Sequence, residues 1–149
     1  MPVQQVTKAT IGYQSTFSIG SGSPSTLTQM AECKSIKPNL ITVPVIDATH
    51  LLSPNATEEK LLGLIKPGTI DISGNFIGDA TQLNIATLAQ ARTVFPFQTT
   101  SPINSGTQVF TITGQGFISK YDPGPFEPSK LIEFALSIEI SGAFTQTVV

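Results

Sequence analysis

Two β-prone stretches decide the fold of this chain: Ile46-Asp47-Ala48-Thr49-His50-Leu51 and Gly68-Thr69-Ile70-Asp71-Ile72-Ser73-Gly74-Asn75-Phe76. The segment between them, residues 52–67, is too apolar for an ordinary solvated loop and too interrupted by Pro and Gly for a long helix. Connections between strands normally run over the surface. An apolar connection is therefore a candidate contact for another molecule, which in a self-assembling protein is a second copy of the chain.

The side chains predicted to make this contact belong to an interface loop, residues 51–67, and all are large and aliphatic. They are Leu51, Leu52, Leu61, Leu62, Leu64 and Ile65. An alternative is that the same side chains fold back as a lid over the core of their own subunit. Composition alone does not separate a lid from a subunit interface, so both interpretations stand at this point.

Composition favours assembly. The chain has 149 residues, the size of one domain, and 40% of them are hydrophobic whereas only 12% are charged. Charged residues normally make up about 25% of a globular protein. Ile, Leu, Val and Phe recur throughout, which excludes a disordered chain. A weakly charged exterior is poor at keeping copies of a protein apart.

Charge, cysteine content and hydropathy exclude several functional classes. The formal net charge is −2 and the Lys and Arg residues are scattered, so a groove that grips nucleic-acid phosphates is not predicted. Cys33 is the only cysteine, which rules out an intrachain disulfide and fits a reducing compartment. The first residues do not predict a signal peptide, and no apolar run approaches the length of a membrane span.

The clearest periodicity lies in residues 130–141, where apolar residues alternate with polar or small ones, as is typical of a strand with one buried face. The apolar members are Ile132, Phe134, Leu136, Ile138 and Ile140. A capping-box pattern at Asp79 and Gln82 predicts a helix over about residues 80–92. Pro44 cannot donate a backbone hydrogen bond, so it predicts an edge or a bulge in its β segment.

Together these patterns predict a mainly β fold, an antiparallel β-sandwich or barrel of about seven strands with one flanking α-helix. The β domain is expected over residues 13–141, with a turn at Gly20-Ser21-Gly22-Ser23-Pro24. An N-terminal arm, residues 1–12, precedes it, and a C-terminal tail, residues 142–149, follows it. The tail is β-prone and uncharged, so it can add to a sheet edge of its own subunit or of a neighbour.

No catalytic, cofactor-binding or metal site is predicted. His50 is the only histidine, and a lone histidine beside a carboxylate such as Asp47 is more often structural than catalytic. One His and one Cys cannot supply a typical zinc site. Glu133 and Glu139 share a strand face but lie roughly 20 Å apart, too far for paired acid–base catalysis. Glu58-Glu59-Lys60 is interpreted as a solvated helical turn.

Six short stretches occur in order along the chain: Phe17-Ser18-Ile19-Gly20, Met30-Ala31-Glu32-Cys33-Lys34-Ser35-Ile36, Ile46-Asp47-Ala48-Thr49-His50-Leu51, Gly63-Leu64-Ile65, Gly68-Thr69-Ile70-Asp71-Ile72-Ser73-Gly74-Asn75-Phe76 and Ser137-Ile138-Glu139-Ile140-Ser141-Gly142. As an ordered set they resemble the major tail tube proteins of long non-contractile-tailed, lambda-like bacteriophages. The resemblance covers most of the chain, from about Phe17 to Gly142.

This resemblance implies a structural, non-enzymatic virion protein whose sixfold rings stack into a hollow tube that conducts DNA to the host. The implied partners are further copies of the chain and the tape-measure, tail-tip and terminator proteins, with transient, non-specific passage of DNA and no membrane or cofactor. The implied location is the virion tail, after assembly in the host bacterial cytoplasm. In that family the connection corresponding to residues 51–67 reaches a neighbouring subunit or ring, which favours the interface over the lid.

Two alternatives remain open. One is the tube protein of a related bacterial contractile injection system, or another tail ring protein such as a terminator. The other is a β-sandwich carbohydrate-binding module, which needs an exposed aromatic platform, whereas this chain has no Trp. An enzyme built on His50 is a more distant possibility.

Deleting residues 55–60 is expected to leave a folded subunit that fails to polymerise, because the deletion shortens the loop assigned to subunit contact and leaves the predicted core strands intact. Circular dichroism of the purified variant checks the fold, and electron microscopy checks for tubes. Unaltered tubes would contradict the contact role of the loop.

Overall fold

The computed structural model describes residues 7–21 and 26–149. Within these residues the chain forms ten strands: β1 Thr16–Ser21, β2 Thr26–Gln29, β3 Cys33–Thr42, β4 Val45–Asp47, β5 Lys60–Leu62, β6 Lys66–Asn75, β7 Phe95–Ile103, β8 Gln108–Pro123, β9 Glu133–Ile140 and β10 Thr145–Val148. The α-helix α1 spans Ala80–Ala91, and a 3-10 turn spans Pro54–Ala56. The expected N-terminal arm and the expected turn at Gly20 to Pro24 extend into residues 1–6 and 22–25, which lie outside the described residues.

Eight of these strands form one antiparallel sheet in the order β2-β1-β7-β8-β9-β6-β3, with β10 paired to β8. Strands β1 and β3, which lie near opposite ends of this order, contact each other, so the sheet curls around a single core. The prediction of a mainly β, antiparallel fold with one flanking helix is confirmed. The core is enclosed by one continuous curled sheet rather than by two separate ones.

The core occupies the inner face of the curled sheet, as the two-residue period of the strands requires. Thirteen hydrophobic side chains are buried there: Phe17, Ile19, Met30, Ile70, Ile72, Ile85, Phe95, Phe97, Ile112, Phe134, Leu136, Ile138 and Ile140. The rings of Phe17 and Phe97 stack with centroids 6.4 Å apart and join β1 to β7. Burying one such side chain stabilises the fold by about 1.5–3 kcal/mol, so this face holds the sheet closed.

Strand β8 changes partner along its length. Its first half pairs with β10, from Phe110 to Thr113, and its second half pairs with β9 from Gly116 onward. A Cβ atom at Gly116 would lie 2.5 Å from the carbonyl oxygen of Glu139, so only glycine permits this close approach of β8 and β9. The C-terminal residues thus continue the line of β9 and close onto their own sheet through the hydrogen bonds between Val149 and Val109.

Helix α1 connects β6 to β7 and packs against β8. The N-cap at Asp79 is confirmed, because its carboxylate accepts the N–H of Gln82 at 2.9 Å. The return bond of a full capping box is replaced, since the Gln82 side chain bonds to the two residues before Asp79. The fully buried Gln82 side chain accepts the N–H groups of Ile77 and Gly78 and donates to the carbonyl of Asn75. This one side chain therefore satisfies three backbone groups between β6 and α1. No helix in the described ranges is both long and apolar enough to cross a membrane.

Replacing Gln82 by alanine is expected to lower the free energy of unfolding by about 2–4 kcal/mol, because buried backbone donors and an acceptor lose their partners. Urea denaturation followed by circular dichroism measures this change. Gln90→Ala is the matched control, since Gln90 lies on the exposed face of the same helix and its loss is expected to change stability by less than about 0.5 kcal/mol. Equal stabilities of the two variants would show that Gln82 does not tie α1 to β6.

Candidate subunit-contact surface

A two-stranded ribbon, residues 43–65, continues the β3–β6 pair beyond the main sheet. Its strands β4 and β5 pair with each other from Val45–Leu62 to Asp47–Lys60 and form a sheet separate from the eight-stranded one. The ribbon tip, residues 48–59, closes the hairpin. Among the described elements, β4 and β5 make substantial contact only with each other, so no strand or helix forms a second layer behind the ribbon.

The junction between the ribbon and the main sheet is a β-bulge. Main-sheet pairing ends at Thr42 and Lys66, and the ribbon begins where the N–H of Gly63 donates to the carbonyl of Pro44 at 2.8 Å. Residues 64–65 therefore face one residue on the opposite strand, and an extra residue of this kind bends a strand pair. The perturbation predicted at Pro44 is confirmed, since the regular ladder stops before it.

All six predicted contact residues lie on this ribbon or its tip, and each side chain is at least 59% exposed. They are Leu51, Leu52, Leu61, Leu62, Leu64 and Ile65. None is covered by the sheet of its own chain, so the lid interpretation is wrong. Three further side chains on and beside the ribbon, Ile41, Val45 and Ile46, are also exposed and extend the apolar surface toward β3. They were not among the predicted contact residues, because they precede the loop of residues 51–67 to which the prediction was confined.

A ring of polar contacts fixes the ribbon tip. The N–H of Glu59 donates to the hydroxyl of Thr49 at 2.9 Å, and the N–H of Ala48 donates to the carbonyl of Glu59 at 2.8 Å. The carboxylate of Glu59 accepts the hydroxyl of Ser53 at 2.7 Å and lies 3.2 Å from Nε2 of His50. The ring nitrogens of His50 thus face the Glu59 carboxylate and the N–H of Leu52, whereas the hydroxyl of Ser53 is bonded to the His50 backbone and to Glu59.

Glu58-Glu59-Lys60 does not form the helical turn that the sequence suggested. Residues 57–59 are irregular and Lys60 begins β5. The reason is tertiary: both the backbone and the carboxylate of Glu59 are bonded across the tip, which holds this segment opposite residues 48–53.

A second exposed apolar patch lies at the opposite end of the sheet, in the β8–β9 loop, residues 124–132. Phe126 and Leu131 are 71% and 70% exposed. Strand β6 leaves the ribbon at Lys66 and ends at Asn75, which pairs with Glu133 beside this loop. The prolines of the loop marked it as irregular, but no sequence pattern distinguished its apolar residues from buried ones.

Comparisons with solved structures identify the architecture. A chain in the tail of an empty gene transfer agent particle, solved with C6 symmetry, superposes with a TM-score of 0.75 and 18% sequence identity, covering 93% of this chain and 99% of that chain. The fold is that of tail and tube chains. The sheath–tube complex of the extracellular contractile injection system PVC contains a chain with a TM-score of 0.69 and 12% identity, covering 92% and 90%. The SPP1 tail tube gives 0.63 and 12%, covering 91% and 77%.

At these identities the likeness establishes the fold. No family model matches the sequence, and no curated protein matches it significantly.

An open cleft of about 830 Å³ lies between the start of β3 and strands β7 and β8. Among the described residues that line it, Lys34 is the only charged one, and its ammonium is paired with the carboxylate of Glu133 at 2.6 Å. Burial raises the pKa of the Cys33 thiol, also in the lining, to about 11. Cys33 is therefore not an activated nucleophile, since the reactive form of cysteine is the thiolate. The described residues contain no group of three or more His, Cys, Asp or Glu side chains able to hold a metal ion.

Half of the eight Lys and Arg side chains form ion pairs. Lys34, Lys60, Lys120 and Lys130 each lie within 3.5 Å of a carboxylate oxygen. Such exposed pairs contribute little to stability, but they offset half of the positive charge that a groove for nucleic acid would need.

Few aromatic side chains are exposed among the described residues. They are Tyr13 just before β1, Phe117 on β8 and Phe126 in the β8–β9 loop. A carbohydrate-binding module stacks sugars on neighbouring exposed aromatic rings. The stacked ring pair found within the described ranges, Phe17 and Phe97, lies in the buried core.

The Cys33 thiol of the folded subunit is expected to react with iodoacetamide about a hundredfold more slowly at pH 8 than the thiol of the urea-unfolded chain, because its pKa rises from 9.0 to about 11. The folded state retains this proton more tightly. The corresponding contribution to stability is therefore complete below pH 9.0 and is lost as the pH rises toward about 11. Mass spectrometry measures the alkylation rates, with Cys33→Ser as the blank, and equal rates in both states would contradict the burial.

Proposed function

We propose that this chain is a non-enzymatic structural subunit that assembles with copies of itself into stacked sixfold rings, forming a phage tail tube that conducts DNA to the host. The observation that carries the proposal is the exposed aliphatic surface of the ribbon on a fold shared with tail and tube chains. The likeness to a chain from a C6-symmetric tail supports the sixfold ring.

The magnitude of apolar burial supports the ribbon as the contact. Covering the six predicted side chains would contribute roughly 9–18 kcal/mol at about 1.5–3 kcal/mol each. Association costs an estimated 4–15 kcal/mol in lost translational and rotational freedom. The free energy gained from one ribbon contact is therefore of the same magnitude as the free energy that association costs. Cooperative assembly follows, because a subunit in a ring gains more than one neighbour while losing its freedom once.

The direction of the two apolar patches supports an open-ended polymer. The ribbon leaves one end of the sheet, whereas Phe126 and Leu131 are exposed at the other. Contacts that use different patches on the two partners are heterologous, and such contacts generate rings or filaments rather than closed dimers. Stacked rings are an arrangement that uses both patches.

Passage of DNA through such a tube is consistent with the charge of the chain. With a net charge of −2 and most lysines paired to carboxylates, the subunit offers little to retain phosphates. The ordered sequence stretches between Phe17 and Gly142 support the long non-contractile, lambda-like kind of tail. The proposal accordingly includes tape-measure, tail-tip and terminator proteins as partners, and a virion tail assembled in the host bacterial cytoplasm.

A second candidate is the tube subunit of a contractile injection system. The TM-score of 0.69 with a chain of the PVC sheath–tube complex favours it. The two candidates differ in what surrounds the tube, so cryo-electron microscopy of particles from producing cells separates them: a bare tube supports the non-contractile tail, and a sheath layer supports the contractile system.

The double variant Leu51→Asp/Leu52→Asp is expected to abolish tube formation at concentrations at which the wild type assembles, because two charged groups would have to be buried at the contact. Its unfolding midpoint in urea is expected to match that of the wild type, since both positions are exposed. Negative-stain microscopy and sedimentation velocity measure assembly.

Leu83→Ser is the matched control, because Leu83 is an exposed leucine on α1, away from the ribbon, and its variant is expected to assemble. Normal tubes from the double variant would refute the contact role of the ribbon. A wild-type chain that stays monomeric even when seeded with tail-tip complex would refute the tube function.

A further inference from the structure

The ribbon tip contains a hydrogen-bond arrangement that fixes the state of His50. The backbone N–H of Leu52 points at Nδ1 of the imidazole at 3.1 Å. A backbone N–H can only donate, so Nδ1 must be the unprotonated nitrogen that accepts. Nε2 then carries the proton of the neutral ring and donates it to the carboxylate of Glu59, 3.2 Å away.

The same tip is closed by reciprocal bonds between His50 and Ser53. The N–H of His50 donates to the hydroxyl of Ser53 at 2.9 Å, and the N–H of Ser53 donates to the carbonyl of His50 at 3.0 Å. The hydroxyl of Ser53 in turn donates to the carboxylate of Glu59 at 2.7 Å. Leu51 and Leu52 are the two residues between His50 and Ser53, which these bonds join. Together with Leu64, they have the most exposed side chains of the ribbon.

We propose that His50 is a positioning residue for self-association: as the neutral Nε2–H tautomer it links the Leu52 N–H to the Glu59 carboxylate and holds Leu51 and Leu52 outward for contact with a second copy. The inference rests on the proposed tube function for its second half. A pair of leucines held in one geometry before contact loses less conformational freedom on association than a pair on a loose loop. The hydrogen bonds among His50, Ser53 and Glu59 thus act through the two leucines, and these three residues need not contact the second copy.

The tautomer is tested on the soluble subunit alone. His50 is the only histidine of the chain, so its imidazole nitrogens need no assignment in a two-bond ¹H–¹⁵N correlation spectrum. The expected spectrum at pH 8 shows a protonated Nε2 and an unprotonated Nδ1, with the amide of Leu52 protected from hydrogen exchange. A protonated Nδ1, or averaged shifts for the two nitrogens, would overturn the arrangement.

The positioning role is tested by a series of variants whose folded stability is measured alongside assembly. His50→Ala removes both links and is expected to raise the concentration required for tubes about three- to tenfold, the effect of losing roughly one net hydrogen bond per contact. His50→Asn keeps an acceptor for the Leu52 N–H, since an Asn side chain accepts from the backbone two residues on, and is expected to restore most of the assembly.

Glu59→Ala is expected to act like His50→Ala, and Glu58→Ala is its control, because Glu58 faces only Lys60 at 3.5 Å. Unfolding midpoints in urea are expected to agree across the series, since the tip is exposed and contributes little to the core. Unchanged assembly of His50→Ala and Glu59→Ala with the expected wild-type tautomer would overturn the positioning role alone. A wild type with the expected tautomer that never forms tubes would overturn the tube function and, with it, the contact role of the two leucines.

Discussion

A β-strand pair can bury apolar side chains only against another layer, and this constraint divides the molecule into two parts. Where the main sheet curls, its inner face meets itself and α1, and side chains such as Phe97 and Ile138 become fully buried. Where the ribbon continues as two strands beyond the curl, nothing lies behind it and Leu62 and Leu64 stay in solvent. The bulge opposite Val43 and the missing N–H of Pro44 mark the boundary between the main sheet and the ribbon. The exposed surface is thus a consequence of topology and not of a poorly packed core.

The buried half of the fold was accessible from the sequence because local signals and tertiary packing agree there. The alternation that ends at Ile140 places four of its five apolar members on the core face, while Ile132 lies before β9 and is exposed. Asp79 caps α1 through Gln82 as the spacing indicates. The continuity of the sheet was not accessible. It depends on β8 changing from one partner strand to another near Gly116, and pairing between strands far apart in sequence leaves no local pattern.

The candidate site was predictable in composition and not in geometry. Six aliphatic residues in a connection suggested an interface, but a lid over the core would have the same composition, and only the exposure of residues such as Leu51 separates the two. Glu59 is a clearer example of geometry that the sequence did not predict. Its neighbours favour a helical turn, whereas its backbone and carboxylate are both bonded to residues on the opposite side of the ribbon tip. Contacts of this kind override local propensity and become visible only when both strands are in place.

The aliphatic side chains of the ribbon carry a further consequence for how association responds to its surroundings. Ionic contacts weaken as salt rises, within a screening distance of about 8 Å at physiological ionic strength. Apolar contacts behave in the opposite way: they strengthen in sulfate and weaken on cooling. Copies held together through the aliphatic side chains of the ribbon would therefore dissociate on cooling and stay associated at high salt. Their association depends more strongly on temperature than on salt concentration.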